Sequence, residues 1–298
     1  MSPLKVALAG GSGNLGPAVL KALLDAGFPV TVLTRDGKGS EFDNRAQVAE
    51  VDYGSEESLT CALLGHEVVI NTLGAIPRDI HLRLIDAAVA ARVQRFIPSE
   101  FGSDTTNPKA AAIPIYADKV AVQKHLEEKS RSSNGHFTYT LQINGPFFDW
   151  GLQNGFLVNF KGPEVELYDG GDRKFSTTTL SGVGNGLVGI INHLEATKNR
   201  TVYIREAEVT QNQLLKIANQ KNLTTKVVET ENLEQEAYAE LQKPSPNPGA
   251  FVFNFLRRTI FGEGFGSLFP NEVLSNELLG VKELSNEELR NIVLRCLN

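Results

Sequence analysis

Apolar and polar positions in the first half of the chain repeat in one order: a short apolar run, a turn, then a stretch with its apolar residues on one helical face. Val6, Ala7, Leu8 and Ala9 form the first run, and a glycine-rich turn follows. Residues 17–26 then carry Val19, Leu20, Leu23 and Leu24 at helical spacing until Gly27 ends the helix. The same reasoning predicts strands over 30–33, 47–51, 67–73, 94–98 and 138–142, with helices over 56–64, 81–91 and 116–129. The run over 67–73 is nearly all apolar, as expected of a strand covered on both faces. Repeated strand–helix units of this kind predict the α/β class, a Rossmann-type doubly wound parallel sheet with right-handed crossovers.

The pattern changes beyond residue 150. Strands are predicted over 201–205 and 225–229. Thr210 with Gln213 makes a capping box for a helix to about residue 220, and Ser285 with Glu288 makes another for the last helix. Pro244, Pro246, Pro248 and Gly249 mark a surface loop. Elements read as sparse here. The expectation is a nucleotide-binding domain over 1–150 and a smaller C-terminal α/β substrate-binding lobe over 151–298. That lobe should not fold alone, and some of its elements should dock on the first domain.

The turn after the first strand reads Gly10-Gly11-Ser12-Gly13-Asn14-Leu15-Gly16. It satisfies G-x-G-x-x-G between a strand and a helix, inside a unit of about 30 residues that ends in a second strand. Glycines let the backbone approach a pyrophosphate, and the helix that follows turns its positive end toward the phosphates. The end of the second strand then bears on the cofactor. A dinucleotide lacking the 2′-phosphate calls for an acid at that point, whereas the 2′-phosphate calls for a cation. The chain places Arg35 there, with Lys38 as a second charge, which favours NADPH. One residue of register would put Asp36 on the ribose instead.

Composition narrows the remaining options. The 298 residues carry a net charge of −6, which gives no basic footprint for nucleic acid, and pairs such as Arg257-Arg258 are too short to change that. No apolar stretch reaches membrane-spanning length, and the first strand begins too early for a signal peptide. Cys61 and Cys296 lie far apart, as in a reduced intracellular protein. The five histidines show no ligand spacing, so no metal site is expected. A soluble cytoplasmic protein is the reading, with no nucleic-acid or membrane partner. A homodimer suits this class, although no segment marks an interface.

Arg95-Phe96-Ile97-Pro98-Ser99-Glu100-Phe101-Gly102 closely resembles the strand-to-loop signature of the NmrA-like, isoflavone-reductase-like proteins. These are atypical short-chain dehydrogenases that include phenylcoumaran benzylic ether, pinoresinol and isoflavone reductases. The glycine turn, Arg35 and Asn144-Gly145-Pro146-Phe147 fall in the same order as in that family. The resemblance is good over about the first 160 residues and looser to the end. It implies that Lys119, on the helix after the signature, is the general acid/base and a cofactor contact. Hydride transfer leaves an oxygen anion that such a group would protonate, with its pKa lowered by desolvation. From the helical pattern alone, Lys119 reads as an ordinary solvated lysine. Lys124 lies about 140° further round the helix and cannot share its face. Tyr116 and Lys119 are three residues apart, not the four of Tyr-x-x-x-Lys, so Tyr116 is assigned to the substrate side. Residues 103–115 differ from the reductases' usual sequence, and their plant substrates do not carry over.

Further expectations follow strand by strand. Gly74 and Ala75, with Ile76, should pass under the adenine and ribose, and Ser99, Glu100 and Phe101 should stand at the fifth strand's end as cofactor contacts, with Phe101 flanking the nicotinamide and Glu100 alternatively a structural anchor to backbone or a lysine. Asn144, Pro146 and Phe147 should lie beside the carboxamide. Phe101, Tyr116, Phe147, Trp150 and Phe265 are the candidate substrate contacts, with residues 262–266 as a glycine-rich lid tipped by Phe265. Together these point to NADPH-dependent reduction of a small, apolar, aromatic metabolite or an enone- or quinone-like carbonyl. The rival reading is a non-catalytic dinucleotide sensor acting through a protein partner. Retention of a lysine at position 119 favours the enzyme. A scaffold without cofactor binding fits poorly with an intact glycine turn and Arg35.

Overall fold

The computed structural model describes residues 3–35, 42–74, 76–162, 164–219 and 223–297. In the first half, the elements are β1 (Val6–Ala9), α1 (Gly16–Asp25), β2 (Val30–Thr34), β3 (Gln47–Glu50), α2 (Glu56–Leu63), β4 (Val68–Asn71), α3 (Arg78–Ala90) and β5 (Arg95–Ile97). There follow α4 (Pro108–Ala111), a single 3₁₀ turn, α5 (Ala117–Ser132), β6 (Thr138–Ile143) and α6 (Phe148–Gln153). The second half holds β7 (Glu164–Tyr168), β8 (Phe175–Thr177), α7 (Leu180–Asn192), β9 (Arg200–Tyr203), β10 (Ala207–Val209) and α8 (Gln211–Ala218). It ends with β11 (Thr224–Val228), α9 (Thr230–Leu241), α10 (Pro248–Phe261), a second 3₁₀ turn, α11 (Asn276–Leu279) and α12 (Asn286–Arg295).

Seven strands form one sheet in the order β3-β2-β1-β4-β5-β6-β9, and every neighbouring pair is parallel. The order reverses at β1, so a crevice opens beyond the carboxyl ends of β1 and β4, as doubly wound sheets require. The α/β reading holds. One apolar layer packs α1 and α7 on the sheet through residues such as Val19, Leu23, Val183 and Leu187. The other packs α2, α3 and α5 through Leu59, Leu84, Ile85 and Leu126. Buried Arg95 of β5 ties the sheet to the segment before β9. It donates to Thr138 and Thr140 of β6 and to Thr197 and the Leu194 carbonyl.

The second half is not sparse. β9 completes the main sheet, and two small sheets pair β10 with β8 antiparallel and β11 with β7 parallel. Helix α7 escaped the sequence reading because Gly182, Gly184, Gly186 and Gly189 lower its helix propensity. They are there for contact. A Cβ on Gly184 would stand 2.9 Å from that of Ala22, and one on Gly189 would stand 2.3 Å from the Leu279 carbonyl oxygen. The predicted loop over 244–249 is also shorter than expected. Asn247 caps α10 by accepting from Gly249 N–H at 3.0 Å, and Pro248 takes the first turn, where its missing N–H costs nothing.

Candidate active site

A cavity of about 800 Å³ opens at the carboxyl ends of β1, β4 and β5 and reaches across to α5 and α10. The glycine turn forms its first wall. Gly10 has φ +86, and a Cβ there would lie 2.7 Å from the Leu73 nitrogen on the neighbouring strand end. A Cβ on Gly16 would lie 2.3 Å from the Gly10 carbonyl oxygen, so only glycine lets α1 begin this close to the turn. Gly13 differs. It lines the cavity beside Asn14 and Leu15, and a Cβ on it would have only the Gly10 oxygen nearby, at 3.5 Å. Such an atom would take up cavity space. A bare backbone at the start of a ten-residue helix is what a pyrophosphate needs.

The second wall comes from the ends of β4 and β5. Thr72, Leu73, Gly74, Ile76 and Pro77 line it, with His81 from α3. Leu73 N–H donates to Asn71 Oδ1 at 3.0 Å, so the Asn71 amide turns its Nδ2 to His81 Nδ1 at 2.9 Å. The imidazole proton therefore belongs on Nε2. Burial pushes the His81 pKa down, and the Lys119 charge adds to this. Ser99, Glu100 and Phe101 also line the cavity. Sequence reasoning missed His81, whose only signal was its place on the inward face of α3.

Helix α5 brings Lys119 to the floor. Lys119 is half-buried, lines the cavity and donates Nζ to the main-chain oxygen of Glu100 at 2.7 Å. Burial pushes its pKa below the ordinary lysine value, and the charge of Glu100 opposes the shift. Tyr116 also lines the cavity, but its hydroxyl is committed elsewhere. It donates to Ser103 Oγ at 2.8 Å and lies 3.0 Å from Thr259 Oγ1 of α10, which itself donates to the Leu256 carbonyl. Burial raises the Tyr116 pKa. Ile115, Val122, Val252 and Leu256, which the sequence did not single out, complete an apolar wall with Phe101 and Phe147.

Other expected positions stand apart. Asn144 and Pro146 are buried behind the wall, and of that segment Phe147 reaches the cavity among the described residues. Trp150 packs against Phe156 in the second half's own core, away from the cavity lining. Phe265 is buried with Ala110, Ile113, Tyr116 and Phe255, beneath the cations of Lys109 and Arg258. Lys109 Nζ and Asn107 Nδ2 hold the carbonyls of Glu263 and Gly264. The expected lid is thus a pinned turn that props Tyr116 from behind. Arg35 ends exposed just past β2, while Lys38, Asp36 and Ala75 lie outside the described residues.

The NmrA-like family model matches residues 3–263. The chain belongs to the NmrA-like family. This NmrA-like chain is 30% identical to the oxidoreductase poxI of Penicillium oxalicum over 296 residues, which cover 96% of this chain and 93% of that protein. It is 29% identical to the isoflavone reductase homolog IRL of Zea mays, over 82% of each. Its fold matches the structure of AtPrR2 with NADP+ and (+)pinoresinol at a TM-score of 0.80 and 19% identity, covering 99% of both chains.

Proposed function

We propose that this NmrA-like protein is an NADPH-dependent reductase of a small, apolar, aromatic enone, quinone or benzylic ether. The observation that carries the reading is the Lys119 ammonium, set on the cavity floor beside an apolar wall and hydrogen-bonded to a neutral carbonyl. The kinship with named oxidoreductases supports it.

Bound NADPH supplies a hydride. The glycine turn and the start of α1 are suited to its pyrophosphate, and Arg35, with Lys38, to its 2′-phosphate. The walls of Phe101, Tyr116 and Phe147 would hold a flat ring by area and by ring geometry. Lys119, kept less basic by burial, gives its proton to the oxygen that becomes negative as the hydride arrives. Tyr116 shapes the wall and is not the acid, because its hydroxyl is tied to Ser103 and Thr259. On this reading residues 1–150 hold the nucleotide, and 151–298 lend α10 to the substrate side.

Calorimetric titration with NADPH and NADH, followed by NADPH-oxidation assays over aromatic enones, quinones and benzylic ethers, tests it. Selective NADPH binding that weakens in Arg35→Ala, with turnover of a panel member, is the expected result. Nucleotide binding with no turnover on any member would replace the enzyme by a sensor.

A further inference from the structure

Two hydrogen bonds next to Lys119 have no part in that chemistry. Thr105, 2% exposed, donates Oγ1 to Glu100 Oε2 at 2.7 Å. Gln123 donates Nε2 to Thr105 Oγ1 at 2.8 Å. Gln123 follows Lys119 by four residues on α5, so both project from one face. The helix therefore grips Glu100 at two points. Lys119 takes its main-chain oxygen, and Gln123 takes its carboxylate through the Thr105 hydroxyl. The bonds run one way only: an amide N–H₂ can only donate, so the single hydroxyl proton of Thr105 is left for the carboxylate.

The charges give this arrangement a purpose. Glu100 is 1% exposed and, among the described residues, forms no ion pair with an arginine, lysine or histidine side chain. Neutral donors orient its carboxylate without neutralising it, so its charge still acts on the ammonium and opposes the effect of burial. A cation in place of Gln123 would cancel that field. Among the described residues, the charged or titratable groups that line the cavity with Lys119 are Glu100 after β5, His81 on α3, Tyr116 in the 3₁₀ turn before α5, and Asp118 on α5 itself.

We infer that Thr105 and Gln123 are positioning residues for Lys119, holding the Glu100 carboxylate as a fixed negative charge near the ammonium. The catalytic consequence rests on the proposed reductase chemistry, but the electrostatic one does not.

The test follows the Lys119 ε-carbon by ¹³C NMR in the full-length protein labelled at lysine, with Lys119→Arg to assign the signal. Thr105→Val removes the hydroxyl at constant shape, and the Lys119 titration midpoint should fall by about one pH unit. Thr105→Ser should restore it. Gln123→Leu should produce a smaller fall in the same direction, and it carries the test if the valine variant does not fold. The matching limb of the kcat/KM pH profile should move with the NMR midpoint. An unchanged midpoint in folded Thr105→Val, or a fall that serine does not reverse, overturns the inference. A wild-type protein with no turnover would defeat the reductase reading and leave the NMR result to decide the positioning on its own.

Discussion

Lys119 Nζ lies 2.7 Å from the main-chain oxygen of Glu100, one hydrogen bond joining α5 to the end of β5 across the cavity floor. The ammonium is thus anchored without being neutralised, and two further protons are free for other acceptors. A preorganised cation in a desolvated site stabilises a developing oxyanion far better than one in water. Lys119→Met should therefore lower kcat by about 10²–10⁴ while NADPH affinity stays within about tenfold. Single-turnover rates and calorimetry on the same preparation measure both. A kcat equal to wild type would return Lys119 to a structural role.

Two glycines in one turn should respond differently to the same added methyl. A Cβ on Gly16 meets the Gly10 oxygen at 2.3 Å and the Gly11 oxygen at 2.5 Å, both main-chain atoms. Neither can move without opening the turn. Gly16→Ala should lose roughly 1–3 kcal/mol of stability together with nucleotide binding. Gly13→Ala meets nothing closer than 3.5 Å and should keep its melting temperature while NADPH binding weakens. Thermal denaturation with and without NADPH separates the two. Equal behaviour of the two variants would mean that Gly13 does not border the pyrophosphate.

The doubly wound sheet was legible because β1, β2 and β4 are apolar runs and α1, α2 and α3 carry their apolar residues at helical spacing. Lys119 was legible through the segment that precedes its helix. What escaped depends on contacts between distant residues. Helix α7 looks too glycine-rich to form until Ala18, Ala22 and Leu279 are seen pressed against it. Phe265 looks like a mobile tip because Lys109, Ala110, Ile113 and Tyr116, which surround it, lie far earlier in the chain. Trp150 reads as a pocket aromatic, yet its partner is Phe156 in a separate apolar cluster. His81 has no signal beyond helical spacing, since Asn71 selects its tautomer from another element.

Arg95 is 1% exposed and, among the described residues, its hydrogen bonds all go to neutral acceptors, Thr138, Thr140, Thr197 and the Leu194 carbonyl. Burial pushes its pKa down. Replacing it leaves several buried oxygens short of a donor, each at a cost of roughly 1–3 kcal/mol. Arg95→Met should lose about 3–5 kcal/mol, and Arg95→Lys should recover little, because three donors on a flexible stem cannot match the planar fork. Urea unfolding followed by circular dichroism gives the values. Near-wild-type stability of the methionine variant would show that the apolar side chain repacks at no cost.

His81 should make the protein less stable in mild acid. Its Nδ1 accepts from Asn71 Nδ2, and protonating that nitrogen would set two donors against each other. Burial, with repulsion from Lys119, keeps the folded-state pKa below the ordinary value of 6.5. Between those two values the unfolded chain binds a proton that the folded chain does not, so unfolding gains as pH falls. The loss of stability begins near pH 6.5 and levels off below the folded-state pKa, and above about pH 7.5 the group contributes nothing. His66 is shifted the same way by burial and adds to the slope. Urea midpoints at pH 5.5 and 7.5 should differ less in His81→Gln than in wild type, and least in the variant that also carries His66→Gln. An identical pH dependence in wild type and His81→Gln would show that the imidazole titrates alike in the folded and unfolded chain, with no net cost to protonating it against Asn71.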